Sequence, residues 1–187
     1  IGAIVVTIVL SLVVPSATAR TACVVPIMMG VIAAFKVDKH SRLAASMMIV
    51  IAQATSIWNV GIQTSAAQNL LSIGFINKTF GAGHSVSWLD WLLAGAPWSL
   101  TMSAILYFLA RKLLPPETEA VEGGSEAIKK ALAELGPTTG KEKRLIGISL
   151  LLLLFWSTGG KLHSIDTTSV TLAGLAIMLL PGIGVMN

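Results

Sequence analysis

Two apolar stretches of this chain are each interrupted by a short polar segment. In residues 1–35 the interruption is residues 15–21, which read Pro-Ser-Ala-Thr-Ala-Arg-Thr, and in residues 43–76 it is residues 59–69. A membrane-spanning helix needs about 20 apolar residues, and irregular backbone inside a membrane is tolerated only where it is buried in protein or lines a cavity. The pattern therefore predicts a membrane protein whose functional centre lies at the two interruptions.

The composition agrees with a membrane protein and excludes several other classes. Of the 187 residues, 54% are hydrophobic and 12% are charged, whereas soluble domains carry about 25% charged residues. The single cysteine and the three separated histidines, His40, His84 and His163, give no disulfide framework and no zinc-ligand spacing. Because the chain begins and ends beside apolar segments, we expect it to be a central fragment of a longer membrane protein.

The first interrupted stretch predicts a re-entrant helical hairpin over residues 1–35. Each apolar arm has about 14 residues, which is about 21 Å of helix at 1.5 Å per residue. That length is shorter than the roughly 30 Å hydrocarbon core. The alternative is one long kinked helix.

The remaining chain divides into further membrane segments and a polar loop. We expect a broken transmembrane helix at residues 43–76, a transmembrane helix at 88–114 and a hydrophilic loop at 115–143. Two shorter apolar runs follow, at residues 145–156 and 170–180. The predicted fold class is an all-α polytopic membrane protein.

The distribution of lysine and arginine predicts the orientation. Successive loops hold three, one, seven and one basic residues, and basic loops face the cytoplasm. Residues 36–42 and 111–144 are therefore expected on the cytoplasmic side of the cell inner membrane. The positive net charge then reflects contact with anionic membrane lipid and not with nucleic acid.

The polar interruptions suit the binding of an anion and of a cation. The segment 15–21 offers hydroxyl groups and a helix N-terminus, which favours carboxylate or phosphate. Thr64, Ser65 and Asn69 offer neutral oxygens that suit Na⁺ or orient a carboxylate. The alternative is that these side chains only join packed helices. Arg20 is a costly charge inside a membrane segment, and it either pairs with a substrate carboxylate or faces an aqueous vestibule.

These motifs resemble the divalent anion/sodium symporters, the INDY-type di- and tricarboxylate transporters. The family tip motif is Ser-Asn-Thr-Ala with Pro-Ile six residues later, and the chain has Ser-Ala-Thr-Ala at 16–19 and Pro-Ile at 26–27. Exchanger-like members that read Pro-Ser-Asn-Thr-Ala-Arg are closer still. Residues 88–117 and 165–182 also look like the family, and residues 144–187 would be the first two helices of a second, inverted half.

The resemblance implies the site residues and the way the protein works. Substrate binding falls to Ser16, Ala17, Thr18, Arg20 and Thr64, and cation binding to Ser16, Ala17, Ser65 and Asn69. The resemblance also implies alternating access in an inverted-repeat transporter that forms a homodimer, with Na⁺ as a coupling ion and no other cofactor. Ala17 replaces a family asparagine that contacts both carboxylate and Na⁺, and Ser65 replaces a glycine whose carbonyl contacts Na⁺.

The predicted function is secondary active transport of organic anions such as C4-dicarboxylates or citrate, either Na⁺-coupled or by exchange. We expect no enzyme activity. An arsenite or Na⁺/H⁺ antiporter of related architecture is the alternative, although the first three apolar segments lack the intramembrane carboxylate it would need. An intramembrane hydrolase and a structural subunit are less favoured, since all three histidines lie in predicted loops.

Overall fold

The computed structural model describes residues 1–81, 86–117, 124–134 and 136–185, and the regular elements of this part of the chain are all helical. Three helices, α2, α3 and α5, are long and apolar enough to cross a membrane. Many large apolar side chains are exposed on these three helices, including Ile27, Ile49 and Phe108. The predicted all-α polytopic membrane fold is confirmed. The helices are α1 (Gly2–Val13), α2 (Ala17–Ala34), α3 (Arg42–Gly61), α4 (Ala67–Phe80), α5 (Trp88–Leu113), α6 (Gly124–Glu134), α7 (Gly140–Thr158) and α8 (Thr167–Leu179).

The first polar interruption is shorter in the structure than the sequence suggests. Helix α2 already begins at Ala17 and has 18 residues, about 27 Å, so only residues 14–16 separate it from α1. The reason is local. The Ser16 side chain accepts a hydrogen bond from the Ala19 N–H at 3.3 Å and caps the helix, while the alanines and the arginine that follow have high helix propensity.

Helix α2 runs antiparallel to α3. Val24 and Met28 of α2 pack against Ile51 in the middle of α3, whereas Arg20, nearer the start of α2, reaches Asn59 near the end of α3. The start of α2 therefore lies beside the second interruption.

Helix α1 runs in the same direction as α3, and so opposite to α2. Ala3 packs on the cluster that contains Ile51, and Leu12 packs on the cluster around Trp58 and Ile62. Helices α1 and α2 thus form a hairpin whose tip meets the interruption after α3. Whether this hairpin is re-entrant in the membrane remains a prediction, as does the division of the chain into domains.

Cysteine labelling tests the re-entrant prediction. In the full-length protein with Cys23→Ser as background, cysteines at Ile1 and at Phe35 should both react with an impermeant maleimide from the cytoplasm, because both arms of the hairpin return to one side. Reaction from opposite sides of the membrane would show that residues 1–35 cross it once.

Close packing against α5 holds the second interruption in place. Gly95 of α5 lies against the end of α3, where a β-carbon would be 3.0 Å from the Val60 carbonyl oxygen. A β-carbon at Gly61 would be 2.5 Å from Ser99 Oγ. The Ser99 hydroxyl donates to the Ile57 carbonyl at 3.1 Å. These small residues let the backbone at the interruption approach α5 closely.

Two of the predicted cytoplasmic loops meet in the structure. The Glu117 carboxylate accepts hydrogen bonds from the Arg42 N–H at 2.6 Å and the Leu43 N–H at 3.3 Å, and it pairs with the Arg42 guanidinium at 3.6 Å. The Arg42 N–H is the main cause that lowers the pKa of Glu117. Because the two loops are in contact, they lie on the same side of the membrane, as their basic residues predict.

Candidate functional site

Arg20 ties the hairpin tip to the interruption after α3. Its guanidinium donates to the carbonyl oxygens of Val14 at 2.9 Å, Ser65 at 3.3 Å and Thr55 at 3.4 Å. It also donates to Oδ1 of Asn59. Thr55 and Asn59 belong to α3. Val14 follows α1, and Ser65 lies in the turn after α3. A single side chain therefore bonds carbonyls at both breaks, those of Val14 and Ser65, and joins them to α3.

The charge of Arg20 has only neutral partners in the described part of the chain. The side chain is 0% exposed, and its Nε is buried without a hydrogen-bond partner. The ion pair found among the described residues joins Arg42 to Glu117, in the loops. A buried cation that has no carboxylate beside it strongly attracts an anion.

Ser65 and Asn69 hold the irregular backbone of the interruption, a 3₁₀ turn at Gln63–Ser65 between α3 and α4. The Ser65 hydroxyl lies 2.7–3.1 Å from three carbonyl oxygens, among them those of Asn59 and Ile62. The Asn69 amide donates to the same two carbonyls, of Asn59 at 2.6 Å and of Ile62 at 2.9 Å. The two predicted cation ligands thus use their donor groups within the protein, and the role of their oxygens in cation binding stays a prediction.

Thr64 and Gln63 connect the interruption to later helices. The Trp88 indole N–H of α5 donates to Thr64 Oγ1 at 3.2 Å. The Gln63 amide donates to the Val86 carbonyl at 3.3 Å and its oxygen accepts from the Thr167 hydroxyl at 3.4 Å. Both Gln63 and Thr64 are buried.

Two of the other predicted substrate residues, Ala17 and Thr18, line a groove that also includes Thr55, an acceptor of Arg20. Ala17 and Thr18 form part of an open groove of about 650 Å³ between α2 and α3, together with Thr21, Thr55 and Ser56. The Thr55 hydroxyl is buried there without a partner. The Ser16 side chain caps α2 and does not line the groove. The structure therefore divides the predicted site into a hydroxyl-rich groove and a buried network, with Arg20 between them.

Helix α4 starts at the interruption without a capping side chain. Its N-cap residue is Ala66, whose methyl group accepts no hydrogen bond. The positive end of the helix dipole therefore receives no acceptor from the N-cap side chain.

Comparison with known proteins places the chain in a family. The sodium:sulfate symporter transmembrane region matches residues 1–186. The chain belongs to this family. The resemblance of the tip and interruption motifs to divalent anion/sodium symporters is thereby confirmed.

Members of the family with curated names are similar to this chain. A membrane protein of Cupriavidus necator is 64% identical over 187 residues, which is 100% of this chain and 36% of that protein. The inner membrane protein YbhI of Escherichia coli K12 is 32% identical over 173 residues, covering 90% of this chain and 35% of that protein. The citrate/succinate antiporter of the same strain is 31% identical over 170 residues, covering 88% and 34%.

The chain spans about a third of the length of these family members. Their membrane location and the apolar helices found here agree, and the chain is a multi-pass inner membrane protein. The side of the membrane on which each loop lies remains a prediction.

Sequence analysis missed several residues that build the site. Thr55 and Asn59 accept from Arg20, and Trp88 donates to Thr64. Asn59 stands within the predicted polar interruption, but nothing in the sequence distinguishes it from its neighbours. For Trp88 the sequence carries no signal, because its contact depends on how α5 packs.

Proposed function

We propose that this chain contributes the first substrate site of a transporter that carries organic dianions, such as C4-dicarboxylates or citrate, across the inner membrane. The observation that carries the proposal is Arg20, a buried cation whose hydrogen-bond partners among the described residues are all neutral. The groove beside it presents the hydroxyl groups of Thr18, Thr21 and Ser56. The citrate/succinate antiporter of Escherichia coli is among the similar proteins.

Transport would follow alternating access, with the site reached from each side of the membrane in turn. The anion would sit at the hairpin tip, where Thr18 and the start of α2 face the groove. Its negative charge would balance Arg20, and its oxygens would accept hydrogen bonds from hydroxyl donors. We also propose that the full-length protein is a homodimer, as the family resemblance implies.

The coupling mode that we favour is anion exchange. Ala17 supplies no side-chain ligand to Na⁺, and Arg20 places a permanent positive charge close by. A fixed cation stabilises a bound dianion without a mobile one. If the empty site moved back across the membrane, the charge of Arg20 would have no anion to balance it. The site is therefore expected to move back only with a counter-anion bound. Coupling to Na⁺ through Ser65 and Asn69 is the alternative mode.

Uptake into proteoliposomes tests the exchange mechanism. Reconstituted full-length protein should take up radiolabelled succinate or citrate only when an anion of this class is present inside. Replacement of external Na⁺ by choline should change the rate less than about twofold. Strong, saturable dependence on Na⁺ without any need for internal anion would refute exchange and support symport. If no di- or tricarboxylate is taken up under either condition, the proposed substrate class is wrong.

Thr18→Val tests the groove. Valine keeps the volume of threonine but removes the hydroxyl group, so an oxygen of the bound carboxylate loses its partner. Such a loss costs about 1–3 kcal/mol, which corresponds to roughly 5- to 150-fold weaker affinity. The half-saturating substrate concentration should rise by that factor while the amount of protein in the membrane stays the same. Ser46→Ala, far along α3 from the tip, is the matched control, and wild-type affinity in Thr18→Val would remove Thr18 from the site.

A further inference from the structure

A second polar cavity lies between the ends of α4, α5, α7 and α8, and Gln63 of the interruption also lines it. It has a volume of about 510 Å³, and its walls include Asn77, Trp88, Trp156, Ile165 and Asp166. The amino-terminal ends of α5 and α8 and the carboxyl-terminal ends of α4 and α7 meet here. If the predicted orientation holds, these helix ends lie near the membrane surface opposite the basic loops.

Two residues of the cavity wall each carry a buried polar atom that has no hydrogen-bond partner among the described residues. Trp156 is only 5% exposed, and its buried indole N–H makes no hydrogen bond with a described residue. Oδ1 of Asn77 is also buried without a partner. Buried polar groups are nearly always hydrogen-bonded, and a ligand that brings both an acceptor and a donor would satisfy these two atoms.

Charges of both signs stand at this end of the helices. Asp166 lines the cavity, and the hydrogen bond from the Ser169 hydroxyl is the main cause that lowers its pKa, so the carboxylate is ionised at neutral pH. Lys161, in the same α7–α8 loop, acts electrostatically on Asp90. A ligand with one negative and one positive group matches this arrangement better than an anion such as the proposed transport substrate.

An apolar groove adjoins the polar cavity. It runs between α7 and α8, has a volume of about 240 Å³, and is lined by Leu151, Leu152, Phe155, Ala173 and Ile177. Ile165 lines both the groove and the cavity. A polar cavity at the membrane surface that continues into an apolar groove along two helices has the shape and polarity of an amphiphile.

We propose that this composite site binds a zwitterionic phospholipid with a primary ammonium group. The phosphate accepts a hydrogen bond from the Trp156 indole. The ammonium donates to Asn77 Oδ1 and is attracted by Asp166. One acyl chain lies in the groove between α7 and α8. Tryptophan at the membrane interface commonly uses its ring in this way, with the apolar body in lipid and the N–H directed to a polar group.

Photolabelling of the full-length protein tests where the lipid binds. The probe is phosphatidylethanolamine with a diazirine in one acyl chain, incorporated into phosphatidylcholine vesicles with the protein. We expect cross-linked peptides from residues 148–177, and competition by unlabelled phosphatidylethanolamine but not by phosphatidylglycerol. If only other peptides are labelled, the proposal is overturned. That result is expected if another segment of the full-length protein covers the groove. Equal competition by phosphatidylglycerol would overturn the assignment of a zwitterionic headgroup.

Two variants separate the headgroup from the acyl chain. Trp156→Phe removes the indole N–H, and Ala173→Phe fills the groove while leaving the polar cavity intact. Native mass spectrometry should show about tenfold less retained phosphatidylethanolamine for each, the effect of one lost hydrogen bond or of one displaced chain. Trp98→Phe, at an exposed position of α5, is the control and should retain lipid as the wild type does. Wild-type retention in Ala173→Phe would overturn the proposal even if Trp156→Phe does not fold.

Discussion

Replacement of Arg20 by glutamine is expected to abolish anion exchange. The substitution removes the buried positive charge and leaves carbonyl oxygens of Val14, Thr55 and Ser65 short of donors. The bound dianion also loses the positive charge that balances it. A hydrogen bond to a charged group contributes about 1.5–3 kcal/mol, so exchange in proteoliposomes should fall by about 10- to 150-fold or more. The conservative Arg20→Lys keeps the charge but not the planar fork that reaches several acceptors at once, and it should restore only part of the activity.

Arg42→Gln is the matched control for this prediction. Arg42 is exposed and pairs with Glu117 at 3.6 Å, and exposed ion pairs contribute only about 0–1 kcal/mol. Its exchange rate should stay close to that of the wild type. Size-exclusion profiles and succinate protection against thermal unfolding separate loss of function from loss of fold. Near-normal exchange by a correctly folded Arg20→Gln protein would disprove the proposed role of the charge.

Asn69→Leu should destabilise the protein as well as impair transport. Leucine has a similar size, but it leaves the carbonyls of Asn59 and Ile62 without the two bonds that the amide now makes. Each lost hydrogen bond contributes about 0.5–1.5 kcal/mol, so the free energy of unfolding should fall by about 1–3 kcal/mol. A clear decrease in the thermal midpoint of the purified full-length protein, in Na⁺ and in choline alike, is the expected measurement.

The neighbouring residue supplies the control for Asn69. Gln68 precedes it on α4 and is exposed, so Gln68→Leu should leave the thermal midpoint almost unchanged. If Asn69→Leu alters the midpoint only when Na⁺ is present, the residue acts as a cation ligand and the structural account is wrong.

The sequence carries enough information to locate both ends of the site. The second polar interruption predicts the break between α3 and α4, because isolated polar groups in an apolar run are costly unless the backbone there changes course. Ser16 and the proline before it predict the hairpin tip. The extent of that tip is less well predicted, since Ala17 to Arg20 look polar beside their apolar neighbours but are good helix formers and continue α2.

The partners of Arg20 illustrate what the sequence does not reveal. The guanidinium reaches Thr55 and Asn59, which are 35 and 39 residues away along the chain, and no periodic pattern encodes the register between α2 and α3. Its main acceptors are backbone carbonyls, which every residue possesses and which composition therefore cannot mark. The same reason hides the contact between Trp88 and Thr64, which depends on the approach of Gly95 to the end of α3.

The missing cap at the start of α4 implies a conflict between stability and activity. Five other helices begin with a side-chain cap, from Ser16, Ser41, Ser87, Thr139 or Asp166, whereas Ala66 leaves α4 without one. A serine or aspartate there would stabilise the helix by about 1 kcal/mol. It would also occupy N–H groups beside the proposed site and, if acidic, repel the transported anion. Selection for thermostable variants would therefore enrich substitutions at this position that make the protein easier to purify and poorer at transport, a trade-off common at functional sites.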